Sequence, residues 1–171
     1  IITAVSFKLS KKPAIMPNYK DVQKYFEKSG VSSPTALQIR EAVLEIRKNK
    51  FVDPSFMPNS GSFFKNPEVS KSKAEMLMSK FPEVKPYPQD NKIFPLENGN
   101  YKIAAGWLIQ ELGFKGKDFG SVRVDPNHAL VLENKDSATQ KDLLKLVSAI
   151  QLQAKEKYGI DLEPEPVIVT F

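Results

Sequence analysis

The stretch Gly61-Ser62-Phe63-Phe64-Lys65-Asn66-Pro67 sets a hydroxyl, an ammonium and an amide within a few residues of paired aromatic rings. A glycine there lets the backbone come close to another group, and the polar side chains can meet a ligand. The same residues also describe a strand edge with a turn, which is the favoured reading on these residues alone. Near the C-terminus, Glu163-Pro164-Glu165-Pro166 holds two carboxylates on a stiff spacer. Acids held in this way are usually an exposed turn, although at a strand start one of them can be a positioned acid. Lys50, Lys65, Lys102 and Lys115 adjoin loops or helix ends. An ammonium is a point charge suited to a diphosphate, whereas scattered lysines are more often solvated surface. Tyr87, between Pro86 and Pro88, is a held aromatic, equally suited to stacking on a base and to packing on its own domain. His128 is the only histidine, so no histidine-built metal centre or Ser-His-Asp triad can form within the chain. Ahead of an apolar strand it reads as structural or as a simple hydrogen-bond donor.

The frame that must position these groups is an ordinary globular one. The 171 residues suffice for one domain, or for one domain with pieces of a neighbour. No cysteine is present, which excludes disulfide scaffolds, thiolate metal sites and cysteine nucleophiles. Against 20 acidic residues stand 25 basic ones, for a net charge of +5 and a pI near 9.2, which favours an anionic partner. The basic residues form no stripe with interleaved aromatics, so nucleic acid is not the expected partner. Neither the G-x-x-x-x-G-K-[ST] phosphate loop nor the G-x-G-x-x-G turn occurs. No apolar run approaches the roughly 20 residues of a membrane-spanning helix, and a cytoplasmic location is expected. No secretory leader is recognisable, and a first residue of Ile1 leads us to expect that residues precede it.

Alternation from Ile1 to Leu9 predicts a strand. A helix is expected from a cap at Asn18 to Gly30, and another from Ser33 and Pro34 through Leu37, Val43 and Ile46 to Lys48. Ser72 with Glu75 predicts a capping box for a helix ending at Phe81. Asp90 to Asn100 reads as a turn-rich loop, Ala104 to Leu112 as a short apolar helix closed by Gly113, and Trp107 as core. Ala129 to Glu133 reads as a strand. Ser137 with Gln140 opens a long helix stopped by Gly159, and Val167 to Phe171 reads as a closing strand. Strands and helices do not alternate regularly, so the expected class is α+β.

Taken in order, Gly61 to Pro67, Ala104-Ala105-Gly106-Trp107-Leu108-Ile109, Ala129-Leu130-Val131-Leu132 and Leu162-Glu163-Pro164-Glu165 resemble the C-terminal half of the UDP-N-acetylenolpyruvoylglucosamine reductase family, type I branch. The likeness spans essentially the whole chain. It implies a substrate-binding α+β domain over residues 50–160, connecting helices over 13–49, and end strands that belong to FAD-binding domains. Residues 1–12 would close one such domain and 161–171 would return to another, with the N-terminal FAD-binding half as the missing partner. A fragment of this extent would be inactive alone.

The implied activity is NADPH- and FAD-dependent reduction of UDP-N-acetylglucosamine enolpyruvate to UDP-N-acetylmuramate, a peptidoglycan precursor. Hydride passes from flavin N5 to C3, and Ser62 matches the serine that protonates C2. Glu165 matches the glutamate that polarises the enolpyruvyl carboxylate. Lys50 and Asn66 match contacts to the diphosphate or sugar, and Tyr87, Lys102, Lys115 and His128 match positions lining the uridine pocket. Arg47 lies where the family carries an arginine in the same region. No metal is implied, and the flavin-binding residues would lie mostly outside this chain. Three departures stand out: Pro166 replaces a usual valine, His128 a common amide, and the segment from Asp90 to Asn100 is longer than usual. The competing reading is a nucleotide-sugar-binding module that catalyses nothing.

Overall fold

The computed structural model describes residues 2–9, 11–12, 16–50 and 53–169, with the side chain of Lys50 outside that set. The chain divides into two compact units, Ile1–Val52 and Asp53–Phe171. As expected, helix and sheet are mixed.

The first unit is a pair of helices, α1 (Lys20–Ser29) and α2 (Ala36–Lys50). Helix α1 begins two residues after the expected cap: Tyr19, not Asn18, is its N-cap and makes no side-chain capping bond. Its end is as expected, with Gly30 at φ 70° returning its N–H to Glu27 and Phe26. Helix α2 likewise starts later than Ser33 and Pro34 suggest. Thr35 and Gln38 exchange the reciprocal bonds of a capping box, Thr35 N–H to Gln38 Oε1 at 2.8 Å and Gln38 N–H to Thr35 Oγ1 at 3.3 Å. Val22, Phe26 and Ala42 are buried between the helices, with Ile39, Val43 and Ile46 packed around them. Residues 2–9 form no strand. Ile2, Val5, Phe7 and Leu9 stay exposed, because an alternating segment without a ladder partner has nothing to bury against.

The second unit holds two antiparallel sheets. One runs in the order β1-β7-β6-β5, built from β1 (Asn59–Ser62), β5 (Asp118–Phe119), β6 (Val122–Val124) and β7 (Val131–Asn134). The other runs β2-β4-β3, from β2 (Glu68–Val69), β3 (Ile93–Pro95) and β4 (Tyr101–Ile103). Helices α3 (Lys71–Lys80), α4 (Ala105–Glu111) and α5 (Gln140–Tyr158) complete it. The expected loop from Asp90 to Asn100 is instead one arm and the tip of the β3–β4 hairpin. Three-residue strands are too short to show a period of two, so the sequence pattern reads only their turn residues.

Both serine caps expected here are displaced by two residues. Ser70, not Ser72, caps α3, and Thr139, not Ser137, opens α5 in a capping box with Asp142. Ser137 instead takes a positive φ of 48° in the preceding turn. The stops at Gly113 and Gly159 lie where expected. The core gathers Leu77, Ile93, Ile103, Leu108, Ile109 and Ile150 with Trp107, whose ring meets Phe81 edge-on at 5.2 Å. Residues 167–169 form no strand, and Thr170 and Phe171 lie outside the described residues. Among the described residues no helix is long and apolar enough to cross a membrane.

Candidate functional site

The strand β1 carries an irregularity at its glycine. Asn59 pairs with Glu133 and Ser62 with Val131, so three steps along β1 oppose two along β7. One extra residue in one strand is a β-bulge, which bends the strand and re-aims the side chain that follows. Gly61 supplies it, at φ 73°, with its N–H held by Asn59 Oδ1 at 3.0 Å. A Cβ built there meets nothing within 4 Å. The reason for glycine in this structure is therefore its backbone conformation, not a close approach. Ser62, next in line, is exposed.

Past the bulge the strand acquires a second neighbour. Phe63 donates its N–H to Leu130 O at 2.8 Å and accepts at its own carbonyl from Glu165 N–H at 2.8 Å. Phe64 forms an antiparallel bridge with Pro164, and Lys65 N–H donates to Glu163 O at 2.9 Å. Ser62 and Glu165 therefore stand on adjoining segments joined through the Phe63 peptide. The Ser62 hydroxyl and the Glu165 carboxylate are both exposed, and neither has a side-chain partner among the described residues. The other acid of the pair is already engaged: Glu163 Oε1 takes the Lys65 ammonium. The rings of Phe63 and Phe64, 5.3 Å apart and both buried, anchor the strand beneath.

Asn66 ties this strand to the apolar helix. Its Oδ1 accepts the Ala105 N–H at 2.9 Å and so caps α4, whose own N-cap, Ala104, has no side chain to do so. The Asn66 amide nitrogen has no hydrogen-bond partner among the described residues. At the next residue, a Cβ on Gly106 would lie 3.3 Å from Leu130 Cγ, so the helix approaches the segment leading into β7 closely here. The four motifs, far apart in sequence, thus converge on one locus through Phe63, Asn66 and Leu130.

A second group lies on the outer face of the β2-β4-β3 sheet. Glu68, Lys102 and Phe94 stand in register across the three strands, a row facing away from buried Ile93 and Ile103. Tyr87 joins it, its ring 5.5 Å from that of Phe94 and tilted by 31°, and its N–H donating to Ile93 O at 2.7 Å. Glu68 Oε1 accepts from Asn98 and Asn100 at the hairpin tip, each at 2.8 Å. The Asn100 and Asn98 amides hold its carboxyl below the ordinary value, against an opposing effect of desolvation and with a lesser contribution from the Lys102 charge. Tyr87 and Lys102 thus stand on either side of Phe94, and Phe94 and Glu68 are functional candidates that the sequence reading missed. Their only signal was the length of the segment from Asp90 to Asn100.

The remaining candidates are more dispersed. His128 sits in the β6–β7 turn, its N–H held by Asp125 Oδ1 at 2.7 Å, and its carbonyl accepts the Val131 N–H. Lys115 lies beyond the C-terminal end of α4, donating to Gln110 at 3.2 Å, whereas Asn66 caps the opposite end. Arg47 is exposed on α2 in the first unit, and Lys50 ends that helix with its side chain outside the described residues.

Beneath the His128 turn lies buried charge that the sequence reading passed over. Glu133 is almost wholly buried and bonds Arg123 Nε at 2.7 Å, while Glu133 Oε1 has no partner among the described residues. Burial pushes the Glu133 carboxyl above its ordinary value. The hydrogen bond from Arg123 opposes that rise, and the neighbouring Asp125 carboxyl adds to it.

Among the described residues no group of acids or histidines can hold a metal ion. Nor do they form a flavin cradle. The orphaned buried polar atoms, Glu133 Oε1 and the Tyr158 hydroxyl, are enclosed in the packed unit, and the exposed locus offers a hydroxyl and an acid rather than a row of amides.

The chain is similar to known proteins along nearly its whole length. The model of the family "UDP-N-acetylenolpyruvoylglucosamine reductase, C-terminal domain" matches residues 53–169. The UDP-N-acetylenolpyruvoylglucosamine reductase of Chromobacterium violaceum is 40% identical over 169 residues, covering 99% of this chain and 48% of the relative. Its counterpart in Bordetella pertussis is 40% identical over 169 residues, covering 99% and 46%. That of Flavobacterium johnsoniae is 40% identical over 170 residues, covering 99% and 48%. The chain spans about half the length of the curated relatives it matches.

Proposed function

The chain belongs to the UDP-N-acetylenolpyruvoylglucosamine reductase family, and from that premise we propose that it is the substrate-binding portion of a reductase acting on UDP-N-acetylglucosamine enolpyruvate in the cytoplasm, on the way to peptidoglycan. The observation that carries the proposal is the single peptide, Phe63, holding Ser62 and Glu165 on adjoining segments. A pure binding module has no need of that pair.

Reducing the enolpyruvyl double bond adds a hydride to one carbon and a proton to the other. FAD, reduced by NADPH and held by other parts of the protein, supplies the hydride when bound. The proton is this chain's share. The Ser62 O–H bond breaks as the new C–H bond forms at C2, and the resulting alkoxide regains its proton from solvent. A serine hydroxyl is a weak acid, so it serves only a strongly basic carbanion or enolate in a site closed against water. Because Ser62 is exposed in this chain, that closure must come from elsewhere in the protein. Glu165, aimed from the neighbouring segment, polarises the substrate carboxylate as charge develops.

The outer face of the β2-β4-β3 sheet takes the nucleotide. Tyr87 meets the base, and Lys102 meets the diphosphate as a point charge. Asn66 holds the diphosphate or sugar, and Lys115 and His128 line the remainder.

In the complete protein, Ser62→Ala should leave flavin reduction by NADPH at its normal rate and slow reoxidation by substrate at least about 100-fold. Wild-type rates in both half-reactions would overturn the role given to Ser62. Absence of flavin absorbance from the complete protein would overturn the reductase reading altogether.

A further inference from the structure

We propose that Phe94 is a positioning residue for the nucleotide end of the substrate: it backs the Tyr87 ring and stands between that ring and Lys102 on one face, so that base and diphosphate are gripped by the same row. The inference rests on the nucleotide pocket proposed above and names a residue that pocket needs.

A tyrosine between two prolines is restrained along its backbone, but its ring still turns about the side-chain bonds. Here the ring is held at two points. The Tyr87 N–H is pinned to Ile93 O at 2.7 Å, with Pro86 bridging Ile93 beside it. One residue further along β3, the Phe94 ring lies against the Tyr87 ring at 5.5 Å. Tyr87 nonetheless remains 52% exposed, so covering one side leaves the other open. Aromatic pairs at such separations are attractive beyond the area they bury, and a ring already held loses less freedom when a base stacks on it.

The register does the rest. Phe94 faces Lys102 directly across β3 and β4, and Lys102 faces Glu68 across β4 and β2. The aromatic pair and the ammonium are therefore neighbours on one face, the arrangement a pyrimidine nucleoside diphosphate requires. Glu68 makes the row rigid, because its carboxylate clamps Asn98 and Asn100 at the tip of the hairpin that carries Phe94. The hairpin is thus a device for presenting a ring.

The test is calorimetric titration of the complete protein with UDP and with inorganic pyrophosphate, which has the charge without the base. Phe94→Ala should weaken UDP binding about three- to tenfold and leave pyrophosphate unchanged. Because Phe94 acts through Tyr87, adding Phe94→Ala to Tyr87→Ala should cost nothing further. Phe94→Leu keeps an apolar side chain in the hairpin and serves should the alanine variant not fold. It should weaken UDP in the same direction, and wild-type UDP affinity in Phe94→Leu would overturn the inference. Equal losses for UDP and pyrophosphate would also overturn it, since a collapsed hairpin loses both. If Tyr87→Ala itself leaves UDP binding unchanged, the nucleotide pocket falls, and the role of Phe94 with it. Tyr87→Ala weakening UDP while neither Phe94 variant does would refute the Phe94 role alone.

Discussion

The bulge at Gly61 can be tested by one substitution whose cost follows from the structure. At φ 73° a residue with a Cβ pays the left-handed penalty, about 1–2 kcal/mol. The space around that Cβ is open to 4 Å, so no clash adds to it. Alanine also narrows the unfolded ensemble, which returns about 0.4–1 kcal/mol. The net expectation for Gly61→Ala is a loss of about 1 kcal/mol, or roughly 3–6 °C in Tm for a unit of this size. Gly61→Asn should recover part of it, because asparagine tolerates this region better than other side chains. Thermal melts and urea midpoints of the three proteins measure the series. The reasoning is refuted if Gly61→Ala melts with wild type, or if asparagine fares no better than alanine. A further outcome is informative: if the strand straightens to relieve the strain, the pairing slips by one residue and Ser62 turns to the opposite face. Turnover would then fall far more than stability.

Two more outcomes follow from side chains with more than one task. Asn66→Ala leaves the Ala105 N–H without its acceptor and should cost about 1 kcal/mol of stability, whereas Asn66→Asp keeps the acceptor and should melt near wild type. Since aspartate lacks the amide donor, a raised KM at unchanged Tm in Asn66→Asp would identify the leftover nitrogen as a substrate contact; unchanged KM would remove Asn66 from the pocket. For Glu133, burial raises the folded carboxyl above its ordinary value of 4.5, so the native state binds the proton more tightly than the unfolded chain does. That contribution is fully present below pH 4.5 and is lost as pH rises through the raised value. Urea midpoints of wild type should accordingly decline across that window relative to Glu133→Gln, and parallel curves would refute the shift.

The motifs were legible in the sequence through their order and combination, no single one being specific; their convergence was not, since it depends on long-range pairing. Helix ends marked by glycine were also legible, as at Gly30, Gly113 and Gly159, where the backbone conformation itself demands the residue. Helix starts were less so. Asn18, Ser33, Ser72 and Ser137 all have capping side chains, yet none is the observed cap, which falls on the next residue, Tyr19, in the first helix and on Thr35, Ser70 and Thr139 in the others. Several nearby residues can accept the same N–H, and packing of the helix against its neighbours chooses among them. Phe94 was invisible for a different reason: its pairing with Tyr87 exists only once β3 finds its register on β4. Glu133 offered a lone charge in an apolar strand, a signal that the strand reading absorbed without asking what would neutralise it.

The Phe63 peptide has a consequence for the order of assembly. Its two hydrogen bonds reach forward to Leu130 and to Glu165, both distant in sequence, so closing those loops is among the slower and more entropically costly contacts in the unit. Synthesis runs from the N-terminus, and Ser62 leaves the ribosome long before Glu165 is added. Until then the Phe63 carbonyl has no strand to meet, and the hydroxyl waits beside an unfinished edge. Ser62 and Glu165 are therefore brought together only after the whole stretch between them has been added and folded.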